Sequence, residues 1–332
     1  MCGIFGVACV GDSTLDGKGI RDLMANLFRS SESRGKEAAG IAVRFSDRLK
    51  LYKTPQPASK MIKSSQYREI IDATIDSKNT GGAVAMIGHS RLVTNGNQSC
   101  YENNQPLAKG DAVAVHNGIV VNADELWEQN HEMTCETELD SEVILGLLDK
   151  YQRVNGLNPV MALNQTFDAI EGMASLAILF RKLNSLLLAT NNGSIYYCIG
   201  NQSKSLVFAS ERFILESVLK SRTASCEFSN KNIQHLAPGC GLAMNLADAS
   251  ITNFILNNSP DIDLSECKEV PVEQFHPGET ADFTNKNVDI AAFTPGRFSR
   301  LEKEYDRCRL AASYLRRCTS CRVPETIPFI DF

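Results

Sequence analysis

The amino-terminal part of the chain alternates between strand-like apolar runs and one amphipathic segment. CGIFGVACV is a short run of apolar and small residues, as in a buried strand. Apolar side chains then recur at helical spacing between Gly19 and Phe28. AAGIAVRF and KLYKT follow as two strands, with SDR as the turn between them. A strand, a helix and two paired strands predict an α+β fold.

The middle of the chain adds two strands and three helical segments. The strands GGAVAMIGHSRLVT and DAVAVHNGIVVN both end in polar loops. ADELWEQNHEM reads as the start of a helix, and SEVILGLLDKYQRV and NPVMALNQTFDAIEG are amphipathic helices.

A second group of strands follows, separated by Asn, Gly and Ser turns. The strand-like segments are SLAILFRK, SLLLATNN, SIYYCIG, SLVFASE and CGLAMNL, and a helix is predicted near 212–220. Strands dominate this region, with helices grouped at both ends of the set. The pattern predicts two stacked sheets with helices outside, extending to about Asn253.

The carboxyl-terminal part has a different texture. From about Asn257 to Arg297 the sequence is polar and has few periodic apolar positions, as in a linker. A helix is predicted over roughly 300–317, followed by RCTSCRVPETIPFIDF. We therefore predict a domain over 2–256, a polar linker over 257–298, and a helix with a CxxC tail over 299–332.

Charge and hydropathy exclude several classes of protein. The 332-residue chain has a net charge of −5, which gives no reason to expect nucleic acid or an anionic membrane as partners. It contains no long apolar run, and its start does not resemble a signal peptide, so we expect a cytoplasmic protein. The 11 cysteines, an odd number, are expected to be reduced, and Cys9, Cys198, Cys226 and Cys240 to be buried and inert.

Cys2 stands directly behind the initiator methionine. A residue this small in second position allows methionine to be removed, which would leave a thiol and a free α-amine on one carbon. The thiol of a free cysteine has a pKa of about 8.5, and an α-amine has one of about 7.7 to 8.0. The amine can therefore exchange a proton with the thiol, so that one residue supplies both a nucleophile and a base.

Five ordered motifs place Cys2 in a family context. They are CGIFG at the start, SRGKEAAGIAV (33–43), IGHSRLVTNGN (87–97), VHNGIVVN (115–122) and LDSEVI (139–144). Together they resemble the glutamine amidotransferase domain of the N-terminal-nucleophile hydrolases, as in amidophosphoribosyltransferase, glucosamine-6-phosphate synthase and asparagine synthetase. The resemblance implies a four-layer αββα sandwich of two antiparallel sheets. It also implies hydrolysis of glutamine without a cofactor.

The resemblance assigns roles to individual residues. Cys2 matches the nucleophile that forms a γ-glutamyl thioester, and Asn117 and Gly118 match the oxyanion hole. Free glutamine carries two opposite charges, and specificity requires a partner for each. Arg91 matches the arginine that binds the α-carboxylate, and Asp140 matches the aspartate that binds the α-ammonium.

Further residues are assigned to the surroundings of the site. Thr94 matches a residue lining the substrate pocket, and Glu138 is an alternative to Asp140. His89 is interpreted as a structural histidine near Arg91, because the amine already supplies the base. Arg34 and Gly35 match a loop that packs against the backbone of the nucleophile, and they are included in the predicted substrate site.

The tail RCTSCRVPETIPFIDF carries a second, shorter resemblance. It is similar to the opening of ATP-pyrophosphatase-type N-acetyl sugar amidotransferases, where CxxC and PET-x-PFI-x-F precede a second cysteine pair. Cys318 and Cys321 are then half of a four-cysteine zinc site, and two free thiols are the alternative. The first interpretation makes the chain part of a longer synthetase, or a subunit whose tail docks on one.

Three functions follow from these observations. The first is a glutaminase that takes L-glutamine and passes ammonia to an ATP-dependent synthetase or acceptor site in the parent chain or a partner. The alternatives are an N-terminal-cysteine amidase that acts on another amide, and a non-catalytic glutamine-binding regulatory module. Each of the three functions is compatible with a homo-oligomer.

The first prediction concerns processing of the amino terminus. We expect intact-mass measurement of the active protein to show the loss of one methionine residue and a free amine on Cys2. Active protein that keeps Met1 would contradict the mechanism, because the α-amine would then not belong to the nucleophile.

Overall fold

Two β-sheets lie face to face at the centre of the structure, a computed structural model that describes residues 2–11, 13–45, 48–92, 96–229, 231–256 and 272–275. The strands are β1 (Gly3–Cys9), β2 (Ala38–Phe45), β3 (Arg48–Thr54), β4 (Val84–Arg91), β5 (Leu107–Lys109), β6 (Ala112–Val120), β7 (Gly172–Phe180), β8 (Ser185–Thr190), β9 (Tyr196–Ile199), β10 (Ser205–Ala209), β11 (Gln234–His235), β12 (Cys240–Asn245), β13 (Ile251–Ile255) and β14 (Val272–Phe275). The first sheet has the order β11-β9-β10-β1-β4-β2-β3-β14, and the second has the order β13-β12-β8-β7-β6-β5.

The helices cover the outer faces of the two sheets. They are α1 (Gly17–Ser31), α2 (Ala58–Met61), α3 (Ser65–Asn79), α4 (Ala123–Gln129), α5 (Ser141–Arg153), α6 (Pro159–Ala169), α7 (Arg212–Val218) and α8 (Arg222–Glu227). The predicted amphipathic segment near residue 20 forms α1, which begins after Asp16. The Asp16 carboxylate accepts a hydrogen bond from the Gly19 N–H at 2.7 Å, which satisfies an otherwise unpaired donor of the first turn.

The side chains of β1 alternate between two apolar clusters, as the period of a strand requires. Phe5 and Val7 pack with α1, α3 and α7 on the outer face of the first sheet. Ile4 and Ala8 point the other way and pack between the two sheets. A third cluster buries α4, α5 and α6 against the second sheet. The order helix, sheet, sheet, helix confirms the predicted four-layer αββα sandwich.

One strand departs from the predicted pattern. β14 pairs parallel to β3, so the first sheet is mixed, whereas the described pairs of the second sheet are all antiparallel. The four residues of β14 lie inside the segment 257–298 that the sequence predicts as a linker. That segment therefore contributes a strand to the sheet. The strand has one buried side chain, Val272, which is too little for a periodic signal.

Residues 55–80, for which the sequence pattern predicts no element, contain the short helix α2 and the 15-residue helix α3. Its buried face includes Tyr67, Ile70, Ile71 and Thr74, which follow helical spacing. The Ser64 hydroxyl accepts a hydrogen bond from the Tyr67 N–H at 3.2 Å and begins the helix. Among the described residues, no helix is long and apolar enough to span a membrane.

The described cysteines are free thiols with different exposures. Cys9 and Cys198 are buried, as expected, and Cys240 is half-buried. The prediction for Cys226 is wrong, because its thiol is exposed on the short helix α8. Its position in RTASCE favours a solvent-facing helical site over a strand.

Gly6 makes a testable prediction about the packing of the first sheet. A Cβ added at Gly6 would lie 2.2 Å from the Met86 carbonyl oxygen and 2.5 Å from the ring of Phe208. The substitution Gly6→Ala should lower the free energy of unfolding by about 3 kcal/mol or more, because backbone and a packed ring must both move. Chemical denaturation of the purified protein measures this loss.

Gly146→Ala is the matched control for this prediction. Gly146 lies within α5, where a Cβ would meet the flexible end of Met133 at 3.2 Å and the edge of the half-buried Trp127 ring at 3.3 Å. We expect a change of less than about 1 kcal/mol, because the gain in helix propensity offsets the contact. Equal losses in the two variants would contradict the packing described here.

Candidate active site

The position of Cys2 is fixed by the strand that follows it. Gly3, the first residue of β1, pairs with Ser90 of β4, which places Cys2 beside the end of β4. The Cys2 thiol donates a hydrogen bond to the Leu92 carbonyl oxygen at 3.5 Å. Burial raises the pKa of the thiol, the nearby charge of Arg91 lowers it, and that of Asp140 raises it. A thiol held in its protonated form needs a base at the moment of attack.

Gly35 allows the loop that contains it to approach this strand end. A Cβ at Gly35 would lie 2.1 Å from the Arg91 carbonyl carbon and 2.3 Å from the Leu92 nitrogen. The guanidinium of the neighbouring Arg34 forms an ion pair with the carboxylate of Glu211, with 3.1 Å between Nη1 and Oε1. The loop therefore packs against the end of β4 beside Cys2, and the Arg34 side chain anchors it to the segment after β10.

Arg91 ends β4 and is only 3% exposed. Its Nη1 donates a hydrogen bond to Asn104 Oδ1 at 2.9 Å, and its Nη2 donates to the Gly96 carbonyl oxygen at 3.1 Å. Burial lowers the pKa of the guanidinium, while the nearby thiol of Cys2 and the carboxylate of Glu138 raise it. An arginine keeps its charge in such surroundings, so Arg91 brings a buried cation next to the thiol.

The segment that contacts Arg91 is itself anchored by Lys53. This lysine donates hydrogen bonds to the Asn104 carbonyl oxygen at 2.7 Å and the Glu102 carbonyl oxygen at 3.3 Å. Its ammonium also lies 4.8 Å from the centre of the Tyr101 ring. Burial lowers the pKa of Lys53 to about 8. A buried ammonium with carbonyl partners fixes the backbone that carries Asn104.

Glu138 and Asp140 occupy different places, although both were candidates for one role. Glu138 accepts hydrogen bonds from the Asn97 N–H at 3.1 Å and from Asn103 Nδ2 at 2.6 Å, so it holds the 96–104 segment. Asp140 instead lies at the start of α5, on the side of β6. This placement favours Asp140 over Glu138 as the carboxylate facing the thiol.

Two backbone donors orient the Asp140 carboxylate. Its Oδ2 accepts a hydrogen bond from the Val120 N–H at 2.7 Å, and its Oδ1 accepts one from the Ser141 N–H at 2.9 Å. The first bond joins the VHNGIVVN motif to the LDSEVI motif. The Ser141 hydroxyl also donates to Oδ1 at 3.4 Å, so Oδ2 is the oxygen with capacity for a further donor from a ligand.

Asn117 and Gly118 lie near the end of β6. Asn117 is fully buried, and its Nδ2 donates a hydrogen bond to Ser194 Oγ at 3.3 Å. Its Oδ1 has no hydrogen-bond partner among the described residues. A Cβ at Gly118 would lie 1.8 Å from the Met173 carbonyl oxygen, so glycine is required by the neighbouring strand.

Two buried histidines lie on the strands that carry candidate residues, His89 on β4 and His116 on β6. His89 is fully buried on β4, and neither ring nitrogen has a hydrogen-bond partner in the part of the chain that is described. Burial, together with the nearby charges of Arg91 and His116, lowers its pKa to about 3. His116 is also buried, and its Nδ1 lies 2.8 Å from Ser141 Oγ. A neutral, enclosed His89 fits the predicted structural role.

Several predicted residues lie outside the described residues, and several contacts come from residues that were not predicted. Thr94, Cys318 and Cys321 belong to the first group. The structure adds Asn104, Gln105, Ser141 and Ser194, whose side chains bond the candidate residues or their neighbours. Within the described ranges, no group of three or more His, Cys, Asp or Glu side chains is arranged to hold a metal ion.

The buried His89 predicts a pH dependence of stability. The folded protein keeps the ring neutral down to about pH 3, whereas the unfolded chain protonates it near a pKa of about 6.5. Its contribution to stability is therefore full above about pH 6.5 and declines as the pH falls from there toward about 3. Between about pH 7.5 and 5.5, the wild type should lose about 1.4 kcal/mol more free energy of unfolding than His89→Leu.

Denaturant titrations of both proteins at the two pH values measure this difference. The His89→Leu comparison cancels the contributions of the other titrating groups. Equal losses in the two proteins would show that the folded state protonates His89 as readily as the unfolded chain does.

The chain is similar in sequence to a known protein family and to several curated proteins. Residues 89–217 match the family described as a glutamine amidotransferase domain. The glutamine–fructose-6-phosphate aminotransferase (isomerizing) of Staphylococcus epidermidis is 30% identical over 216 residues, which cover 64% of this chain and 31% of that protein. The corresponding protein of Caulobacter vibrioides is 32% identical over 196 residues, covering 58% of this chain and 29% of the relative.

A solved structure shares the fold. It is the glutamine phosphoribosylpyrophosphate amidotransferase from B. subtilis complexed with ADP and GMP, with a TM-score of 0.57 and 21% sequence identity. The match covers 78% of this chain and 50% of that chain. The present chain thus spans about a third of the length of the curated relatives and half of the structural one. Its motifs, its fold and the family match together show that the chain contains a class II glutamine amidotransferase domain, the type with an amino-terminal cysteine nucleophile.

Proposed function

We propose that this chain hydrolyses L-glutamine to L-glutamate and ammonia, with Cys2 as the nucleophile. One observation carries the proposal: Cys2 lies beside the end of β4, which carries Arg91, and the charges of both Arg91 and Asp140 act on its thiol. These are one cation and one carboxylate, the two charges needed to bind the α-carboxylate and α-ammonium of a free amino acid. An amide delivered between them would have its side chain near the thiol.

The proposed reaction begins with proton transfer within one residue. Once Met1 is removed, the α-amine of Cys2 takes the thiol proton, and the thiolate attacks the side-chain carbonyl carbon of glutamine. The negative oxygen that forms is stabilised by Asn117 Nδ2 and the Gly118 backbone N–H. The C–N bond then breaks as the ammonium of Cys2 gives its proton to the amide nitrogen, which leaves as ammonia. A γ-glutamyl thioester remains on Cys2.

Water completes the cycle. The α-amine of Cys2 accepts a proton from the attacking water, and the C–S bond breaks as glutamate forms. The proton then returns to the sulfur, so that the thiol is regenerated. The raised pKa of the buried thiol supports the need for this base, because burial disfavours a standing thiolate.

Arg91 and Asp140 fit the proposed charge partners through their opposite charges and their fixed orientation. The Arg91 guanidinium is held by Asn104 Oδ1 and the Gly96 carbonyl oxygen, and its planar, permanently charged group suits a carboxylate. Asp140 Oδ1 accepts the Ser141 N–H and, at 3.4 Å, the Ser141 hydroxyl, whereas Oδ2 accepts the Val120 N–H and can accept a second donor. Thr94 is proposed to line the pocket between them.

We further propose that the ammonia passes to a second active site in the parent chain or in a partner. The names of the relatives support a coupled reaction, because each pairs glutamine with a second substrate. For this chain the proposed acceptor is a small molecule, such as a sugar, amidated at an ATP-dependent synthetase site. Cys318 and Cys321 are proposed to supply half of a zinc site there. A catalytic thiol must stay reduced, which supports a cytoplasmic location.

Substitution of the nucleophile tests the reaction. Cys2→Ala should lower glutaminase turnover by about a thousandfold or more, because the thioester cannot form. Cys9→Ala is the matched control: its thiol is buried at the far end of β1, and turnover should stay within about threefold of wild type. Ammonia release from L-glutamine is the measurement.

A second substrate separates the glutaminase from the alternatives. N-acetyl-L-glutamine lacks the α-ammonium, so its kcat/KM should be at least about a hundredfold lower than that of glutamine. Comparable rates for both would favour an amidase for another amide. Turnover that survives Cys2→Ala would contradict the mechanism, and glutamine binding without hydrolysis in the presence of the partner would identify a regulatory module.

A further inference from the structure

Two consecutive buried residues, Asn104 and Gln105, connect the two proposed charge partners. Asn104 is 1% exposed, and its Oδ1 accepts the hydrogen bond from Arg91 Nη1 at 2.9 Å. Gln105 is 6% exposed, and its side chain points to the opposite partner, at the start of α5. The guanidinium and the carboxylate are thus both joined to one short piece of backbone.

Gln105 reaches the carboxylate through Ser141. Its Nε2 donates a hydrogen bond to Ser141 Oγ at 3.2 Å, and its Oε1 accepts one from the His116 N–H at 2.6 Å. The Ser141 hydroxyl lies 3.4 Å from Asp140 Oδ1, and the Ser141 N–H bonds the same oxygen at 2.9 Å. Gln105 therefore ties the residue after Asp140 to β6, the strand that also supplies the second backbone donor to that carboxylate.

The backbone of the pair is held on both sides. The Asn104 carbonyl oxygen accepts a hydrogen bond from Lys53 Nζ at 2.7 Å. The Asn104 Nδ2 donates to the carbonyl oxygens of Gln98 and Cys100 at 2.7 and 3.1 Å. A Cβ at Gly40 would lie 2.1 Å from the Gln105 carbonyl oxygen, so β2 packs directly against the pair. Such a segment has little freedom to shift.

The structure of an amino-acid substrate requires two charged binding groups at a fixed distance from each other. The α-carboxylate and α-ammonium of an amino acid leave the same carbon, so their binding groups must keep a fixed separation. We propose that Asn104 and Gln105 set this separation, and that Gln105 is a positioning residue that makes the site selective for the α-ammonium. The proposal rests on the proposed function, since it assigns Arg91 and Asp140 to the two charges of glutamine.

Two compounds distinguish the two halves of the pair. L-Glutamine carries both charges, whereas 4-carbamoylbutanoate keeps the carboxylate and the amide and lacks the α-amine. Gln105→Leu, which removes both side-chain hydrogen bonds at similar volume, should raise the KM for glutamine about tenfold with little change in kcat. The KM for 4-carbamoylbutanoate should not change. Asn104→Ala should raise the KM for both compounds by the same factor.

Ser141→Ala gives an independent variant for the same selectivity. It removes the acceptor of Gln105 Nε2, and it should lower the kcat/KM ratio of glutamine over 4-carbamoylbutanoate in the same direction as Gln105→Leu. Thr74→Val is the matched control, because it removes a buried hydroxyl of α3 that bonds the Ile70 carbonyl oxygen at 2.7 Å. A loss of stability alone should leave its ratio equal to that of the wild type.

The outcomes separate this proposal from the proposed function. An unchanged ratio in the folded Gln105 and Ser141 variants overturns the positioning role, whatever the rate with glutamine. If the wild type releases no ammonia, calorimetric binding of the two compounds decides instead. The proposal then expects the wild type to prefer glutamine and Gln105→Leu to lose about tenfold of that preference. Equal binding of both compounds by the wild type overturns it.

Discussion

A guanidinium buried beside a thiol must find hydrogen-bond acceptors inside the protein, and this constraint organises the centre of the structure. A buried charge without partners costs several kcal/mol. Arg91 meets the requirement with oxygens of Asn104 and Gly96, both from the segment that follows its own strand. That segment must fold back over the strand end, and Lys53 and Glu138 hold it there. The path of the 96–104 segment over the candidate site thus follows from the need of Arg91 for hydrogen-bond acceptors.

The layered architecture was predictable because burial leaves a periodic trace in the sequence. The apolar runs of β1 and β4 and the amphipathic helices α1 and α5 lie where the pattern places them. Helix α3 has a weaker apolar stripe than α1 and α5, because polar residues outnumber apolar ones along it, so the pattern alone does not mark it as clearly. β14 is different. It is stabilised by backbone pairing to a neighbouring edge, and such pairing leaves no pattern in four residues.

The candidate site also contains residues that can be predicted from the sequence and residues that cannot. Cys2, Arg91 and Asp140 could be proposed from their chemistry within five ordered motifs, and the structure brings the three close together. Their supporting residues could not, because Asn104 and Gln105 sit in a polar stretch that looks like an ordinary turn. Their partners come from β2, β3, β6 and α5, and contacts between segments so far apart in sequence are visible only in three dimensions.

The pairing of β14 with β3 has a consequence for where this domain ends. Judged by its apolar pattern, the domain finishes near residue 256, but a polypeptide cut there would leave the backbone of β3 as an open edge, prone to pairing with other molecules. It would also lose the hydrogen bond from the Tyr101 hydroxyl to the Phe275 carbonyl oxygen, 3.1 Å long. Tyr101 belongs to the segment that supports Arg91. β14 is therefore hydrogen-bonded both to the edge of the first sheet and to the segment that supports Arg91.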